Sequence, residues 1–258
     1  MKTVILAGGL GTRISEQSHL RPKPMIEIGG QPILWHIMKA YSHFGINDFI
    51  ICAGYKQHVI KEFFADYFLH RSDVTFDLQT NTMEVHDNFC EPWRVTVVDT
   101  GLTTMTGGRV KRIQKYVENE TFCLTYGDGV SDIDIGAEIA YHRANGKLMT
   151  VAAVDMQQRF GVLGIGEDNG IYSFREKSSQ DGAYINGGFM VCEPGVFDYL
   201  TDDTTVLERD PVEGLCRDGQ MVAYKHDGFW QCMDTQRDME NLEKLWLGGA
   251  APWKLWQD

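Results

Sequence analysis

The stretch Val4-Ile-Leu-Ala-Gly-Gly-Leu-Gly-Thr-Arg-Ile-Ser-Glu-Gln-Ser-His-Leu-Arg-Pro-Lys23 decides the fold of this chain. Its first residues form a short apolar run that is typical of a strand buried on both faces of a parallel sheet. Gly8, Gly9 and Gly11 follow, and they let the backbone turn sharply and bring its N–H groups close to a ligand. Such a loop favours the binding of phosphate.

Two familiar phosphate-binding loops do not fit this stretch. A dinucleotide-binding fingerprint would need a glycine where Ile14 stands, and a helix at once instead of Pro22 and Pro24. The P-loop spacing, in which Gly-Lys-Ser or Gly-Lys-Thr follows a first glycine after four residues, does not occur. What remains is a long loop that holds Arg13 and Lys23 above the end of the first strand. An ordinary glycine turn with solvated charges is the alternative, although the prolines beside Lys23 restrict the loop and so favour a fixed charge.

Length and composition predict one soluble protein. A chain of 258 residues can form a single domain, residues 1–258, with an irregular insertion at about 70–91. Its hydrophobic fraction is 43%, yet no uninterrupted apolar run approaches the ~18 residues that a bilayer span needs. Met1-Lys2-Thr3 leads straight into a strand without a signal peptide, so we expect a cytoplasmic protein with no membrane partner.

The charge and the cysteines exclude several functional classes. The formal net charge is -12, which disfavours nucleic acid as a partner and leaves a phosphorylated ligand to a local cluster of cations. Six cysteines are dispersed without a Cys-x-x-Cys pair, and Cys52, Cys123 and Cys192 lie in apolar runs typical of a core. The 8 histidines form no His-Glu-x-x-His pair, so we expect no zinc.

Helical and strand-like segments alternate along the chain. Pro32 opens an apolar helical pattern that Gly45 ends, and a strand at Phe49–Ala53 precedes an amphipathic helix at Gln57–Phe68. The later strands are predicted at Arg94–Asp99, Thr121–Tyr126, Met149–Val154, Phe160–Ile165, Ile171–Arg175 and Met221–Tyr224, and the later helices at Arg109–Val117, Ile135–Ala144 and Gln236–Trp246. This order predicts an α/β fold with a Rossmann-like, mixed and mostly parallel central sheet flanked by helices. Periodicity lapses at about 70–91, which indicates a hairpin insertion or a subunit contact.

Two carboxylates follow predicted strands at the edge where an α/β sheet binds its ligands. Asp128 lies between two glycines directly after a strand, and Asp234 precedes the last helix and could meet Asp128 in space. Together they would supply carboxylate oxygens to a Mg²⁺ ion whose other ligands are phosphates. The alternative for Asp234 is a plain helix N-cap. Asp132 and Asp134 are interpreted as carboxylates at a helix start, where the macrodipole favours them.

Several motifs in order resemble the sugar-1-phosphate nucleotidyltransferases. Leu6–Arg13 and Pro22–Pro24 are similar to the signature of that family, and nearly the whole chain is similar to its cytidylyltransferase branch. The branch resemblance rests on Lys23–Gly30, Glu91–Trp93, Val98–Gly101, Met105–Arg109, Ile185–Phe189 and Phe229–Gln231. It implies the nucleotide-diphospho-sugar transferase fold, a Mg²⁺ cofactor, CTP and a sugar 1-phosphate as substrates, and a homo-oligomer.

The resemblance also implies a role for each site residue. Arg13, Lys23, Asp128 and Asp234 would be catalytic, and the two aspartates would be the metal ligands. The residues expected to bind the nucleotide are Leu6, Ala7, Gly8, Gly9, Gly11, Thr12, Arg13, Lys23, Thr104 and Arg109, and those expected to bind the other substrate are Tyr126, Asp128, Glu176, Lys177, Asn186 and Gly187. From spacing alone, Glu176-Lys177 is interpreted as an exposed charged turn.

Other classes of function stay open. A transferase acting on a different phosphorylated acceptor would share these motifs. A sensor could bind nucleotide-sugars without turnover, although it would have little need for both Asp128 and Asp234. A nicotinamide oxidoreductase would need the fingerprint that is absent here, followed by a ribose-binding acid about 20 residues later, near which only Glu27 stands.

Overall fold

The computed structural model describes residues 1–11, 14, 20–155, 162–166, 169–175 and 184–257. The strands are β1 (Lys2–Ala7), β2 (Glu27–Ile28), β3 (Gln31–Pro32), β4 (Asp48–Ala53), β5 (Ser72–Asp77), β6 (Thr82–Asn88), β7 (Arg94–Asp99), β8 (Phe122–Tyr126), β9 (Gly129–Ser131), β10 (Met149–Asp155), β11 (Val162–Ile165), β12 (Ile171–Arg175), β13 (Tyr184–Cys192), β14 (Met221–His226) and β15 (Trp230–Cys232). The α-helices are α1 (Ile33–His43), α2 (Gln57–Ala65), α3 (Tyr67–His70), α4 (Thr106–Arg112), α5 (Gln114–Val117), α6 (Ile135–Asn145), α7 (Asp210–Arg217) and α8 (Gln236–Leu247), and the 3₁₀ helices are Lys23–Met25 and Pro194–Tyr199.

The central sheet is a mixed sheet organised around β1. Its strands run in the order β12, β11, β13, β8, β1, β4 and β7, with β10 and β14 joined through β13. β1 pairs in parallel with β4 and with β8, and β7 pairs in parallel with β4. β13 is antiparallel to β8 and to β10, while β10 and β14 are parallel. The predicted Rossmann-like α/β sheet flanked by helices is confirmed.

Each face of the sheet packs against its own hydrophobic core. Along β1, Ile5 packs with the cluster around α1, whereas Val4 and Leu6 pack with the cluster that includes α4 and α7. Both faces of β1 are therefore covered, which explains why the strand is an uninterrupted apolar run rather than an alternating one. Cys52, Cys123 and Cys192 are buried free thiols of these cores, as expected from the sequence.

Two predicted helices have different bounds in the structure. The helix predicted at Gln57–Phe68 is interrupted at Asp66, which separates α2 from α3. The helix predicted at Arg109–Val117 begins three residues earlier, and Ile113 separates α4 from α5. The start of this helix was not predicted because glycines have low helix propensity. A Cβ at Gly108 would lie 2.7 Å from the backbone of Asp203. Close packing, rather than helix propensity, selects glycine there.

Sequence periodicity missed some elements and located others. β13 contains an Asn-Gly-Gly segment that weakens its strand propensity, and α7 lies in a segment where no helix was predicted. The strand expected from Phe160 is described only from Val162 onward, because residues 160–161 lie outside the described part of the chain. At 70–91 the expected hairpin is present as β5 and β6, which form a two-stranded sheet of their own. No helix in the described ranges has the length and apolar character required to cross a bilayer.

The imidazole of His36 is enclosed by an aromatic cluster, and most of the rings in this cluster come from the end of the chain. His36 is fully buried, and its ring meets the rings of Trp35, Trp246, Trp253 and Trp256. Its Nε2 lies 2.8 Å from the carbonyl oxygen of Ile28, and the Trp253 indole N–H donates to Nδ1 at 3.4 Å. These partners require a neutral ring with its proton on Nε2. Burial accordingly lowers the pKa of His36 to about 4.

The protonation of His36 should make stability depend on pH. In the unfolded chain His36 has an ordinary pKa of 6.5, whereas in the folded chain its pKa is about 4. The stability that depends on a neutral His36 is therefore fully present above pH 6.5 and is lost as the pH falls. At about 1.4 kcal/mol per pKa unit, the loss is on the order of 3 kcal/mol. We expect the difference in unfolding free energy between the wild type and His36→Gln, measured in urea, to shrink from pH 7 to pH 4.5. A difference that does not vary with pH would contradict the assignment.

Candidate active site

A cavity of about 280 Å³ lies at the carboxyl ends of the parallel strands. Its walls come from the glycine loop after β1, the Lys23–Met25 segment, the loop between β7 and α4, the start of α4, and the turn after β8. The lining residues are Leu6, Ala7, Gly8, Gly9, Gly11, Lys23, Pro24, Thr104, Met105, Thr106, Arg109, Tyr126, Gly127 and Asp128. The structure thus brings together most of the residues that the sequence predicts for nucleotide binding.

Asp128 and Asp234 meet across Lys23. The Lys23 ammonium donates to Asp128 Oδ2 at 2.6 Å and to Asp234 Oδ1 at 2.5 Å. The two aspartates are adjacent because β9 and β15 pair in an antiparallel ladder and the Met233 N–H donates to the Asp128 carbonyl at 2.8 Å. Residues that are far apart in sequence therefore share one cation.

The charges of this group stabilise one another. Burial by itself would lower the pKa of Lys23, but Asp128 and then Asp234 outweigh it, and the pKa of Lys23 is raised. The ammonium therefore remains protonated near neutral pH. The two carboxylates approach the same positive atom, as ligands of a metal ion must. Their oxygens fit the preference of Mg²⁺.

The helix-cap interpretation of Asp234 is wrong. The N-cap of α8 is Thr235, whose side chain accepts from the Asp238 N–H, while the Asp238 carboxylate accepts from the Thr235 N–H at 2.7 Å. The same carboxylate oxygen also accepts from the Asp234 N–H at 3.1 Å. Asp238 thus positions the backbone beside the proposed metal ligand. Of the other acidic residues, Asp134 is the N-cap of α6, as expected.

Tyr126 connects the cavity to the segment predicted to bind the sugar. Gly188 has a positive φ of 79°, and a Cβ there would overlap the Tyr126 ring. Asn186 accepts from the Gly188 N–H at 2.8 Å, and the Gly187 carbonyl accepts from the Trp230 indole at 2.6 Å. The residues at 186–188 are therefore held beside Tyr126. A sugar could contact the tyrosine and this strand together.

Glu208 is a residue of the site that sequence reasoning missed. Its carboxylate accepts from the Thr106 hydroxyl at 2.6 Å and from the Tyr126 hydroxyl at 2.5 Å, and both of these side chains line the cavity. Burial, and then the charge of Glu208, raise the pKa of Tyr126 well above its usual value. No motif marks Glu208 in the sequence. The Thr235-x-x-Asp238 spacing, in contrast, is close to a capping box and could have identified Asp238.

Several predicted site residues cannot be placed. Thr12, Arg13, Glu176 and Lys177 lie outside the described residues, so their roles stay predictions. Arg109 lines the cavity, but its guanidinium donates to backbone carbonyls, including those of Gly8 and Gly101.

Comparisons with known proteins agree with this geometry. Residues 2–235 match the family model described as Nucleotidyl transferase. The chain belongs to the nucleotidyl transferase family. The glucose-1-phosphate cytidylyltransferase of Salmonella typhi is 57% identical over 258 residues, and the match covers 100% of both chains. The probable glucose-1-phosphate cytidylyltransferase of Bacillus subtilis (strain 168) is 44% identical over 257 residues, with 99% of this chain and 100% of the relative covered.

Solved structures confirm the fold of this nucleotidyl transferase. The crystal structure of HddC from Yersinia pseudotuberculosis superposes with a TM-score of 0.76 at 24% identity, covering 95% of this chain and 99% of HddC. The structure of an apo UDP-glucose pyrophosphorylase gives a TM-score of 0.73 at 14% identity, with 96% and 98% covered. At such identities the likeness supports the architecture alone.

The two halves of the α8 capping box offer a test of how Asp234 is positioned. Thr235→Ala and Asp238→Ala each remove a cap contact, so each should lower the free energy of unfolding by about 1 kcal/mol. Only Asp238→Ala also removes the acceptor of the Asp234 N–H. The rate of nucleotidyl transfer by Asp238→Ala should therefore be roughly tenfold lower than that of Thr235→Ala, because a misplaced catalytic group loses much of its effect.

Asp238→Asn is the matched control for this prediction, since its amide oxygen can still accept from the Asp234 N–H. It should recover most of the rate that Asp238→Ala loses. Equal rates for Thr235→Ala and Asp238→Ala at equal stability would show that the cap has no bearing on Asp234.

Proposed function

We propose that this enzyme transfers the cytidylyl group of CTP to α-D-glucose 1-phosphate, giving CDP-glucose and pyrophosphate. The observation that carries the proposal is the contact of Lys23 with both Asp128 and Asp234 at a cavity walled by a glycine loop. This arrangement suits a nucleoside triphosphate, because it offers a cation and a pair of metal-binding carboxylates beside backbone N–H groups. The cytidylyltransferases of Salmonella typhi and Bacillus subtilis support the choice of substrates.

The proposed reaction needs charge neutralisation more than a protein base. A phosphate oxygen of the sugar 1-phosphate forms a bond to the α-phosphorus of CTP, and the bond from that phosphorus to the bridging oxygen breaks. The electron pair of the broken bond leaves with pyrophosphate. A phosphate monoester has a second pKa of about 6, so the attacking group is already ionised near neutral pH. The chain therefore has to hold the two substrates in line and stabilise negative charge.

Lys23 is the described cation best placed for this task. Its ammonium lies at the edge of the glycine-loop cavity, where a triphosphate could accept hydrogen bonds from it. Arg13 is proposed to act beside it on the leaving pyrophosphate. Asp128 and Asp234 would hold Mg²⁺, which would neutralise phosphate charge when bound.

A substrate grid tests the proposed function. Pyrophosphate release is measured for CTP, UTP, dTTP and GTP, each against glucose 1-phosphate, other sugar 1-phosphates and non-sugar phosphate monoesters, with Mg²⁺ or with a chelator. We expect turnover for CTP with glucose 1-phosphate and none with the chelator. A preference for UTP or dTTP would overturn the base assignment. Turnover of CTP only with another acceptor would retain cytidylyl transfer and reject glucose, while binding without turnover would indicate a nucleotide-sugar sensor.

Two variants test the role of Asp128 in this assay. Asp128→Asn removes one negative oxygen ligand and should lower kcat by roughly 10²-fold or more, because metal binding contributes several kcal/mol. Asp134→Asn is the matched control, since asparagine caps a helix about as well as aspartate and Asp134 lies at the start of α6. Equal losses in both variants would refute the metal assignment.

We also propose that the enzyme is a cytoplasmic homo-oligomer that associates through the β5–β6 hairpin. A cytoplasmic location suits the use of CTP. The hairpin exposes apolar side chains of Phe76, Leu78 and Met83, with 58%, 91% and 46% of their surface accessible. Clusters of exposed apolar side chains mark interaction surfaces. Of the aromatic residues that precede the hairpin, Phe63, Phe64 and Tyr67 pack against the core instead.

Light scattering tests the assembly. The wild type should have a mass that is a multiple of 29.2 kDa at micromolar concentration. The double variant Phe76→Glu with Leu78→Glu should shift towards the monomer, because charge in an apolar interface is desolvated. Leu247→Glu is the control, since Leu247 is 74% exposed at the end of α8. A monomeric wild type, or equal effects of both changes, would refute this interface.

A further inference from the structure

The carboxylate of Glu208 joins two walls of the active-site cavity. Oε2 accepts from the Thr106 hydroxyl at 2.6 Å, and Oε1 accepts from the Tyr126 hydroxyl at 2.5 Å. Thr106 is the first residue of α4 and Tyr126 is the last residue of β8, and both line the cavity. Glu208 itself is half-buried in the segment that precedes α7. One side chain therefore connects the start of a helix with the end of a strand.

The backbone that carries this carboxylate is docked against the start of α4. The Leu207 N–H donates to the Thr106 hydroxyl at 2.9 Å, and the Gly108 N–H donates to the Thr205 carbonyl at 3.1 Å. A Cβ at Gly107 would lie 2.7 Å from the Thr205 side chain, so the two segments are in close contact. The carboxylate is therefore held both by its own backbone and by Thr106.

The hydroxyl of Tyr126 is committed to contacts within the protein. Its O–H donates to Glu208, and the Asn186 side chain hydrogen-bonds to the same oxygen. Burial raises the pKa of Tyr126 and the negative charge of Glu208 raises it further, so the hydroxyl keeps its proton near neutral pH. Tyr126 therefore does not act as a base. The part of the side chain that is left to contact a ligand is its ring.

The ring of Tyr126 supports the segment at 186–188. Gly188 has a φ of 79°, and a Cβ there would overlap the ring. The Gly188 N–H donates to the side-chain oxygen of Asn186 at 2.8 Å, so the Asn186 amide group is fixed between Gly188 and the Tyr126 hydroxyl. A tyrosine that rotated away would lose the bond with Asn186 and the contact with Gly188 together. The position of the ring is therefore coupled to that of the segment predicted to bind the sugar.

We propose that Glu208 is a positioning residue for the sugar 1-phosphate. It holds Tyr126 in one rotamer, so that the ring forms a fixed wall of the acceptor subsite and Asn186 is oriented towards the sugar. The acceptor in this statement rests on the proposed function, whereas the fixing of the Tyr126 rotamer does not. Glu208 acts through hydrogen bonds rather than through its charge, so an uncharged side chain of the same length should replace it.

Crystal structures of the substrate-free protein test the fixing of Tyr126. In Glu208→Ala the tyrosine should leave its wild-type rotamer or occupy a second one, because it loses its acceptor. In Glu208→Gln it should keep the wild-type rotamer, since the amide can bond to both hydroxyls. Glu213→Ala is the matched control, because Glu213 is an exposed glutamate in the first turn of α7. An unchanged Tyr126 rotamer in Glu208→Ala would overturn the proposal.

Steady-state kinetics give the second readout. Loss of a hydrogen bond to a charged group should raise the KM for glucose 1-phosphate roughly tenfold in Glu208→Ala. The KM for CTP should stay near the wild-type value, because Thr106 keeps its bond from the Leu207 N–H. Tyr126→Phe retains the ring but not the hydroxyl, so it should also raise the KM for glucose 1-phosphate, and it decides the test if Glu208→Ala does not fold. The double variant should be no worse than the worse single variant, since both changes break one interaction.

Three kinetic results would contradict this role of Glu208. Equal losses in Glu208→Gln and Glu208→Ala would show that the charge of Glu208 matters rather than its hydrogen bonds. Additive effects of Glu208→Ala and Tyr126→Phe would show that Glu208 does not act through Tyr126. An equal rise in the KM for CTP and for glucose 1-phosphate would show a general effect on the cavity. If the wild type does not convert these two substrates, the proposed function fails, while the crystal structures still decide whether Glu208 fixes Tyr126.

Discussion

The parallel pairing of β1 with β4 and β8 is the constraint on which the site depends. Parallel strands end at the same edge of a sheet, so their following loops must meet there. The register places Leu6 opposite Tyr126 and Ala7 opposite Ala53. The glycine loop and the turn that carries Asp128 are therefore neighbours before any side chain makes a contact. Apolar packing on both faces of β1 holds this edge rigid.

Two cations at that edge have different environments. Lys23 is bonded to two carboxylates, those of Asp128 and Asp234. Arg109 is bonded to the Thr100 hydroxyl and to backbone carbonyls, among them those of Gly8 and Gly101. A compact ammonium fits between two carboxylates, and a planar guanidinium with several donors fits among separated backbone carbonyls. The same edge of the sheet thus holds one cation among carboxylates and another among backbone carbonyls.

Sequence reasoning reached the parts of this site that local patterns determine. An apolar run followed by glycines marks the end of a buried strand, and Asp128 follows a strand in the same way, so their shared edge was predictable. Glu208 was not, because it lies in a segment without periodicity and acts through Thr106 and Tyr126, which are distant in sequence. The start of α4 was missed for a related reason. Gly107 and Gly108 have low helix propensity, so they argue against a helix in the sequence. Their close contact with residues 202–207 nevertheless requires glycine at these two helical positions.

The glycine loop was identified correctly from the sequence, but the reason inferred for glycine at position 8 was incomplete. From the sequence, Gly8 is explained by the close approach of a ligand to the backbone. In the structure, the atoms nearest to its missing Cβ belong to the Arg109 side chain. Sequence alone cannot separate these explanations, because both require a residue without a side chain at the same position. The distinction depends on a partner 101 residues away. Glycine at position 8 is therefore required by the packing of the protein against itself, whether or not a ligand approaches the same backbone.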